Sequence, residues 1–229
     1  MTLVLWDIDG TLLHAGGVDK QVWYDVCTAL TGRPPATLTG ISGRTDPQIL
    51  LDTLLACGVD HDQAELLLPE ALARQVTLLA ERSLDLRTRG HRLPGAAEAL
   101  AALAGRAGVV QSVVTGNVRD NAALKLASFG LDRHLDLSIG AFGSDDKDRA
   151  CLVRIAQARL HESRGIDIAD DRTVLIGDSA RDVHAAKSCR IRSVAVATGR
   201  TEAATLASAG ADVVLEDLTD LNAVLAAIL

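Results

Sequence analysis

Four acidic side chains stand in two short clusters, Asp7 and Asp9 within Asp7-Ile8-Asp9-Gly10-Thr11, and Asp178 and Asp182 within Gly177-Asp178-Ser179-Ala180-Arg181-Asp182. Each cluster directly follows an apolar run, T-L-V-L-W at 2–6 or T-V-L-I-G at 173–177. A third run, V-V-Q-S-V-V-T at 109–115, leads into Thr115-Gly116-Asn117. In a doubly wound parallel sheet the ligand crevice lies outside the carboxyl ends of the strands, so these three segments are expected to line one crevice. Carboxylates gathered there raise one another's pKa unless a cation neutralises them. Carboxylate, carbonyl and water ligands suit Mg²⁺, which keeps some waters and contacts substrate phosphate.

Phosphoryl chemistry explains the division of labour. A carboxylate attacking a phosphate dianion is repelled by about 1 kcal/mol per charge pair at 4 Å in water, and by about 4 kcal/mol at an effective dielectric of 20. Mg²⁺ between Asp7 and the phosphoryl group would cancel that repulsion, and a lysine ammonium with the Thr115 hydroxyl would hold the remaining oxygens. Asp9 then has a task of its own. As a carboxylic acid it protonates the leaving alkoxide, and as a carboxylate it takes a proton from the water that opens the acyl phosphate.

The elements that must place these groups read as α/β. Further strand-like runs occur at 136–140, 193–197 and 212–215, each after a helix-like segment, as in a parallel sheet with crossover helices. Helices are expected at 96–103, 119–129, 148–161, 181–189, 201–209 and 218–229. Between about 14 and 89 the alternation stops, and helical patterns at 19–30, 46–57 and 62–84 read as an inserted helical unit. The chain is therefore expected to be a doubly wound, Rossmann-like core, 1–13 with 90–229, carrying a helical cap at 14–89.

Composition bounds the rest. The 229 residues are 48% hydrophobic and 23% charged, which suits a globular chain with a real core. Two Trp, one Tyr and two Phe leave that core aliphatic and provide no base-stacking platform. A net charge of -7 argues against nucleic acid and anionic membrane as partners. Cys27, Cys57, Cys151 and Cys189 have no zinc-site spacing, and no apolar run reads as a signal peptide or membrane span. The expectation is a cytoplasmic protein with free thiols, a monomer or homodimer. No G-x-S-x-G elbow and no P-loop occurs, and the six histidines are scattered.

The order and spacing of the acidic, hydroxyl and cationic residues resemble the haloacid dehalogenase superfamily, over nearly the whole chain. The resemblance implies Asp7 as nucleophile and Mg²⁺ ligand, Asp9 as acid/base with its backbone carbonyl on the metal, and Asp178 as third protein ligand. It places Thr115 and Asn117 on the phosphoryl oxygens and Asp182 behind the ligands. H-R-L-P-G-A-A-E-A-L at 91–100 looks like the re-entry from an inserted cap in phosphoglycolate phosphatase and β-phosphoglucomutase relatives. Where the family often has K-P, this chain reads Gly143-Ser144-Asp145-Asp146-Lys147-Asp148-Arg149, so Lys147 and Arg149 are both candidates, with Lys147 slightly favoured. Thr11, Gly116, Asn117 and the cap residue Arg44 are candidate substrate contacts. Asp9 sets the chain apart from dehalogenases, which resemble one another in lacking it. The expected activity is a Mg²⁺-dependent phosphatase for a small phosphorylated metabolite, phosphoglycolate-like or sugar-phosphate-like. The alternatives are a phosphomutase and a non-catalytic phosphate-binding or phospho-switch module.

Overall fold

The structure is a computed structural model that describes residues 1–36 and 40–229. In chain order its elements begin with β1 (Thr2–Trp6), β2 (Leu13–His14), α1 (Val18–Thr31), α2 (Asp46–Ala56), α3 (His61–Glu81), α4 (Ser83–Arg89) and β3 (His91–Arg92). There follow α5 (Ala96–Ala104), β4 (Val109–Val113), α6 (Arg119–Ser128), α7 (Arg149–Arg164), β5 (Thr173–Gly177) and α8 (Ala180–Cys189). The chain closes with β6 (Arg192–Val196), α9 (Ala203–Ala209), β7 (Val213–Leu215) and α10 (Leu221–Ile228).

Five strands form one parallel sheet in the order β4-β1-β5-β6-β7, with β1 central between β4 and β5. Burial on both faces explains why its strands are mostly apolar. The two-residue period of β1 sends Val4 and Trp6 into one hydrophobic cluster, with Leu100, Leu126 and Ile228, and Leu3 and Leu5 into another, with Leu152, Leu160 and Ala186. A deep polar pair beside that first cluster is satisfied: Trp6 Nε1 donates to Gln111 Oε1 at 3.1 Å, and the Gln111 amide donates to Leu100 O at 2.9 Å.

Helices α1, α2 and α3 build a hydrophobic cluster of their own around Val22, Trp23, Val26, Leu50, Leu54 and Leu79. The insertion leaves and rejoins the sheet side by side, because β2 and β3 pair antiparallel, Leu13 with Arg92 and His14 with His91. Those two-residue strands are too short to show a period and were not expected. The helix expected over 62–84 breaks at Arg82 into α3 and α4. The strand expected at 136–140 does not form. That stretch turns, with Ser138 N and Oγ both donating to Asp136 Oδ1, and only Val114 and Ala141 bridge beyond it. Its apolar residue Ile139 is buried all the same, which is what made the run look like a strand. Among the described residues no helix is long and apolar enough to cross a membrane.

Candidate active site

β1 ends by handing its ladder to Asp7, whose N–H donates to Ile176 O at 2.8 Å and whose side chain is buried at the carboxyl edge of the sheet. The chain then folds back on itself. Leu12 and Leu13 donate to Ile8 O at 2.9 and 3.1 Å, and Gly10 donates to Leu13 O at 2.9 Å. Gly10 takes φ 87, a left-handed conformation that residues with a Cβ avoid. This turn sets Asp9 beside the loop after β4. There Asn117 Nδ2 donates to Asp9 Oδ2 at 2.7 Å and to Thr115 Oγ1 at 2.8 Å.

The third acidic segment arrives on β5. Ser179 and Asp182 cap α8 reciprocally: Ser179 Oγ donates to Asp182 Oδ2 at 2.6 Å, and Asp182 N donates to Ser179 Oγ at 3.3 Å. Asp178, just before this cap, sits in a cradle of two glycines, since a Cβ on Gly10 or on Gly199 would collide with its carboxylate. Asp7, Asp178 and Asp182 all lie buried, with carboxylate oxygens within 4.8 Å of one another. Arg149, at the start of α7, pairs with Asp182 and lies 3.2 Å from Asp7 Oδ1.

Burial dominates the electrostatics. It pushes the Asp7 carboxyl up to about 7, against the nearby Arg149 charge and helped by Asp182. Asp178 is pushed up to about 8, first by burial and then by the charges of Asp7 and Asp182. One guanidinium does not neutralise three carboxylates. Hard oxygen donors so crowded and under-compensated fit a divalent cation such as Mg²⁺, and Asp7 and Asp178 are the two of the three that face open space.

That space is a cavity of about 340 Å³, within the range of small-molecule sites. Asp7, Asp9, Thr115, Gly116, Asn117, Arg149 and Asp178 line it from the sheet side, and Trp23, Ile41, Arg44 and Ile49 from the insertion. Arg44 pairs with Asp52 in α2. Asp182 lies behind the wall, held by Ser179 and Arg149.

Two sequence expectations are corrected. Lys147 is exposed and stands outside the cavity lining, whereas Arg149, two residues on, is 7% exposed and reaches the carboxylates. A position on the first turn of α7 points inward, and the loop before it does not. Thr11 is not on the cavity wall: fully buried, it directs its hydroxyl at Asp178 Oδ1, 3.5 Å away.

Lys125, Asp19 and Gly199 also belong to the site and were not singled out from the sequence. Lys125 had a legible signal. In α6 the buried positions are Asn121, Ala122, Lys125 and Leu126, so a lysine occupies the inward stripe of the helix. Asp46 opens α2. It also fastens the insertion, because its N–H donates to Gly116 O at 2.7 Å and its carboxylate accepts from Val118 N at 2.9 Å.

Comparison with known proteins places this geometry. Residues 4–187 match the haloacid dehalogenase-like hydrolase family. The chain is 27% identical to phosphoglycolate phosphatase 1 of Pseudomonas aeruginosa over 223 residues, covering 96% of this chain and 78% of that protein. It is 29% identical to a plasmid-encoded phosphoglycolate phosphatase of Cupriavidus necator over 231 residues, covering 98% and 93%. Among solved structures, a hydrolase from Pseudomonas syringae superposes with a TM-score of 0.71 at 22% identity, over 100% of both chains.

Two outcomes follow from the carboxylate geometry. Gly199→Ala, which drives a methyl group into Asp178, is expected to weaken Mg²⁺ binding by about 10-fold or more in calorimetric titration, and an unchanged affinity would refute the cradle. The second concerns pH. Because the folded protein keeps a proton on Asp178 that the unfolded chain releases near 3.8, this group's contribution to stability is complete below that value and is lost as pH climbs toward about 8. Asp178→Asn is therefore expected to raise the Tm of the metal-free protein at about pH 8.5 and to change it little at about pH 4, as read by thermal melts.

Proposed function

The chain belongs to the haloacid dehalogenase-like hydrolase family, and from that premise we propose that it is a Mg²⁺-dependent phosphatase of small phosphorylated metabolites. The observation that carries this reading is the buried convergence of Asp7, Asp178 and Asp182 within 4.8 Å, with Asp7 and Asp178 on the wall of a cavity that Asp9, Thr115 and Asn117 also line. The relatives' names support a substrate of the phosphoglycolate kind. A cavity of about 340 Å³ with Lys20, Arg44 and Arg200 on its walls suits a small anion.

In this mechanism an Asp7 oxygen attacks phosphorus while Asp9 gives its proton to the departing alkoxide. Water then attacks the aspartyl phosphate and Asp9 takes the proton back. Thr115 and Asn117 hold phosphoryl oxygens, and Arg149 steadies the Asp7 carboxylate from below. Mg²⁺, when held by Asp7, Asp178 and the Asp9 carbonyl, would draw charge from the phosphoryl oxygens. Residues 14–89 serve as the cap that covers the cavity, and residues 1–13 with 90–229 as the core that reacts, closure excluding bulk water from the transfer. The four cysteines are free thiols, which supports a cytoplasmic setting.

Turnover of p-nitrophenyl phosphate is expected to vanish with EDTA and with Asp7→Asn, and activity surviving either would sink the aspartyl-phosphate mechanism. The same assay separates the two cations of the 143–149 loop. Arg149→Met is expected to lower kcat/KM about 100-fold, whereas Lys147→Ala stays within about threefold of wild type. The reverse order would restore Lys147 to the site.

A further inference from the structure

Lys125 is 1% exposed, yet all three of its ammonium donors are used, and each reaches a different part of the molecule. One set of contacts goes to both oxygens of Asp9, at 2.8 and 3.0 Å. A second goes to Asn117 Oδ1 at 2.7 Å, on the loop after β4. The third goes to Asp19 Oδ2 at 2.9 Å, in α1 of the insertion. Burial works against the charge, but Asp19, Asp9 and Asp46 outweigh it, and the lysine pKa is raised. Arg149 is committed to Asp7 and Asp182, so Lys125 is the cation that Asp9 leans on. Asn117 completes the frame, since its amide nitrogen holds Asp9 while its amide oxygen holds Lys125.

We infer that Lys125 is a positioning residue: it orients the Asp9 carboxylate toward the reacting phosphoryl group and, through Asp19, ties that orientation to the seating of the helical insertion. The inference rests on the proposed role of Asp9. In the first half-reaction the bond from phosphorus to the leaving oxygen breaks as the bond to Asp7 forms, and the Asp9 proton goes to the leaving oxygen. In the second half-reaction the bond from phosphorus to Asp7 breaks as water oxygen bonds to phosphorus, and the water's proton goes to Asp9. A group that acts through Asp9 must therefore matter to both halves for an alkyl phosphate. For an activated aryl phosphate, whose phenolate leaves without a proton, it matters only to the second.

Rapid mixing with 2,4-dinitrophenyl phosphate and Mg²⁺ separates these cases. Lys125→Met is expected to lower steady-state turnover about 100-fold while sparing a first burst of dinitrophenolate approaching one equivalent per protein, because the aspartyl phosphate accumulates. Acid quenching and intact-mass analysis would then find the phosphorylated chain. Asp9→Asn should show the same burst, and Lys125→Met combined with Asp9→Asn should be no slower than Asp9→Asn alone. Burst and turnover falling together, or turnover like wild type, would overturn the assignment. Removing Lys125 alone strands buried Asp19, so Lys125→Met with Asp19→Asn, which deletes both charges, serves as the second variant. If that double variant shows the burst it supports the assignment; if it fails to fold, Lys125 is structural and the assignment falls. A wild-type protein that neither releases dinitrophenolate nor becomes phosphorylated would bring down the phosphatase reading first.

Discussion

Like charges gathered out of water are the constraint from which most of this molecule follows. Carboxylates within 4.8 Å of one another, at an effective dielectric of about 20, repel by roughly 3 to 4 kcal/mol per pair. The sheet brings Asp7, Asp178 and Asp182 into that repulsion, because β1 and β5 are neighbours in parallel register and both end at the same edge. The arrangement is made bearable by local devices. Asp182 is absorbed into the cap of α8, Arg149 is drawn in from α7, and two glycines leave room for Asp178. What is left over is a negative hollow with room for a divalent cation beside a phosphate.

A second charge system stands next to the first and runs the other way. Around Lys125, one cation is shared among Asp9, Asp19 and the Asn117 carbonyl, and Asp46 lies close enough to add to its field. Here the acidic groups come from both the sheet loops and the inserted helices. The first system is built by sheet-side residues alone, whereas the second draws part of its negative charge from the inserted helices: Asp19 of α1 accepts from Lys125, and Asp46 of α2 accepts from Val118 N in the loop after β4. Asp7 and Asp9 thus draw on separate counter-charges, although only one residue separates them in the chain.

How much of this was legible beforehand follows from where each signal resides. Strands buried on both faces announce themselves as apolar runs, so β1, β4, β5, β6 and β7 were readable, as was the polar edge they end in. The run at 136–140 failed because burial of Ile139 mimics a strand, while Asp136 uses its carboxylate to fold the chain into a turn. Asp7, Asp178 and Thr115 were singled out because they stand just past strand ends. Arg149 and Lys147 were not separable, since two residues on a loop-to-helix junction differ only in which way the first turn faces. Lys125 was missed because it sits in the second turn of α6, far in sequence from Asp9, and only its place in the inward stripe gave it away. Gly199 left no trace at all, because a glycine needed for someone else's side chain looks like any turn.

The pairing of Leu13 with Arg92 and His14 with His91 has a consequence beyond the site. Entry and exit of the excursion lie one hydrogen-bonded rung apart, so the sheet experiences everything between them as a closed hairpin, whatever its length. A lineage is then free to lengthen, shrink or exchange that stretch without re-registering a single strand of the scaffold below. Novelty in what the scaffold greets can be tried out on that one stretch, while the carboxylates that β1 and β5 deliver stay where they are.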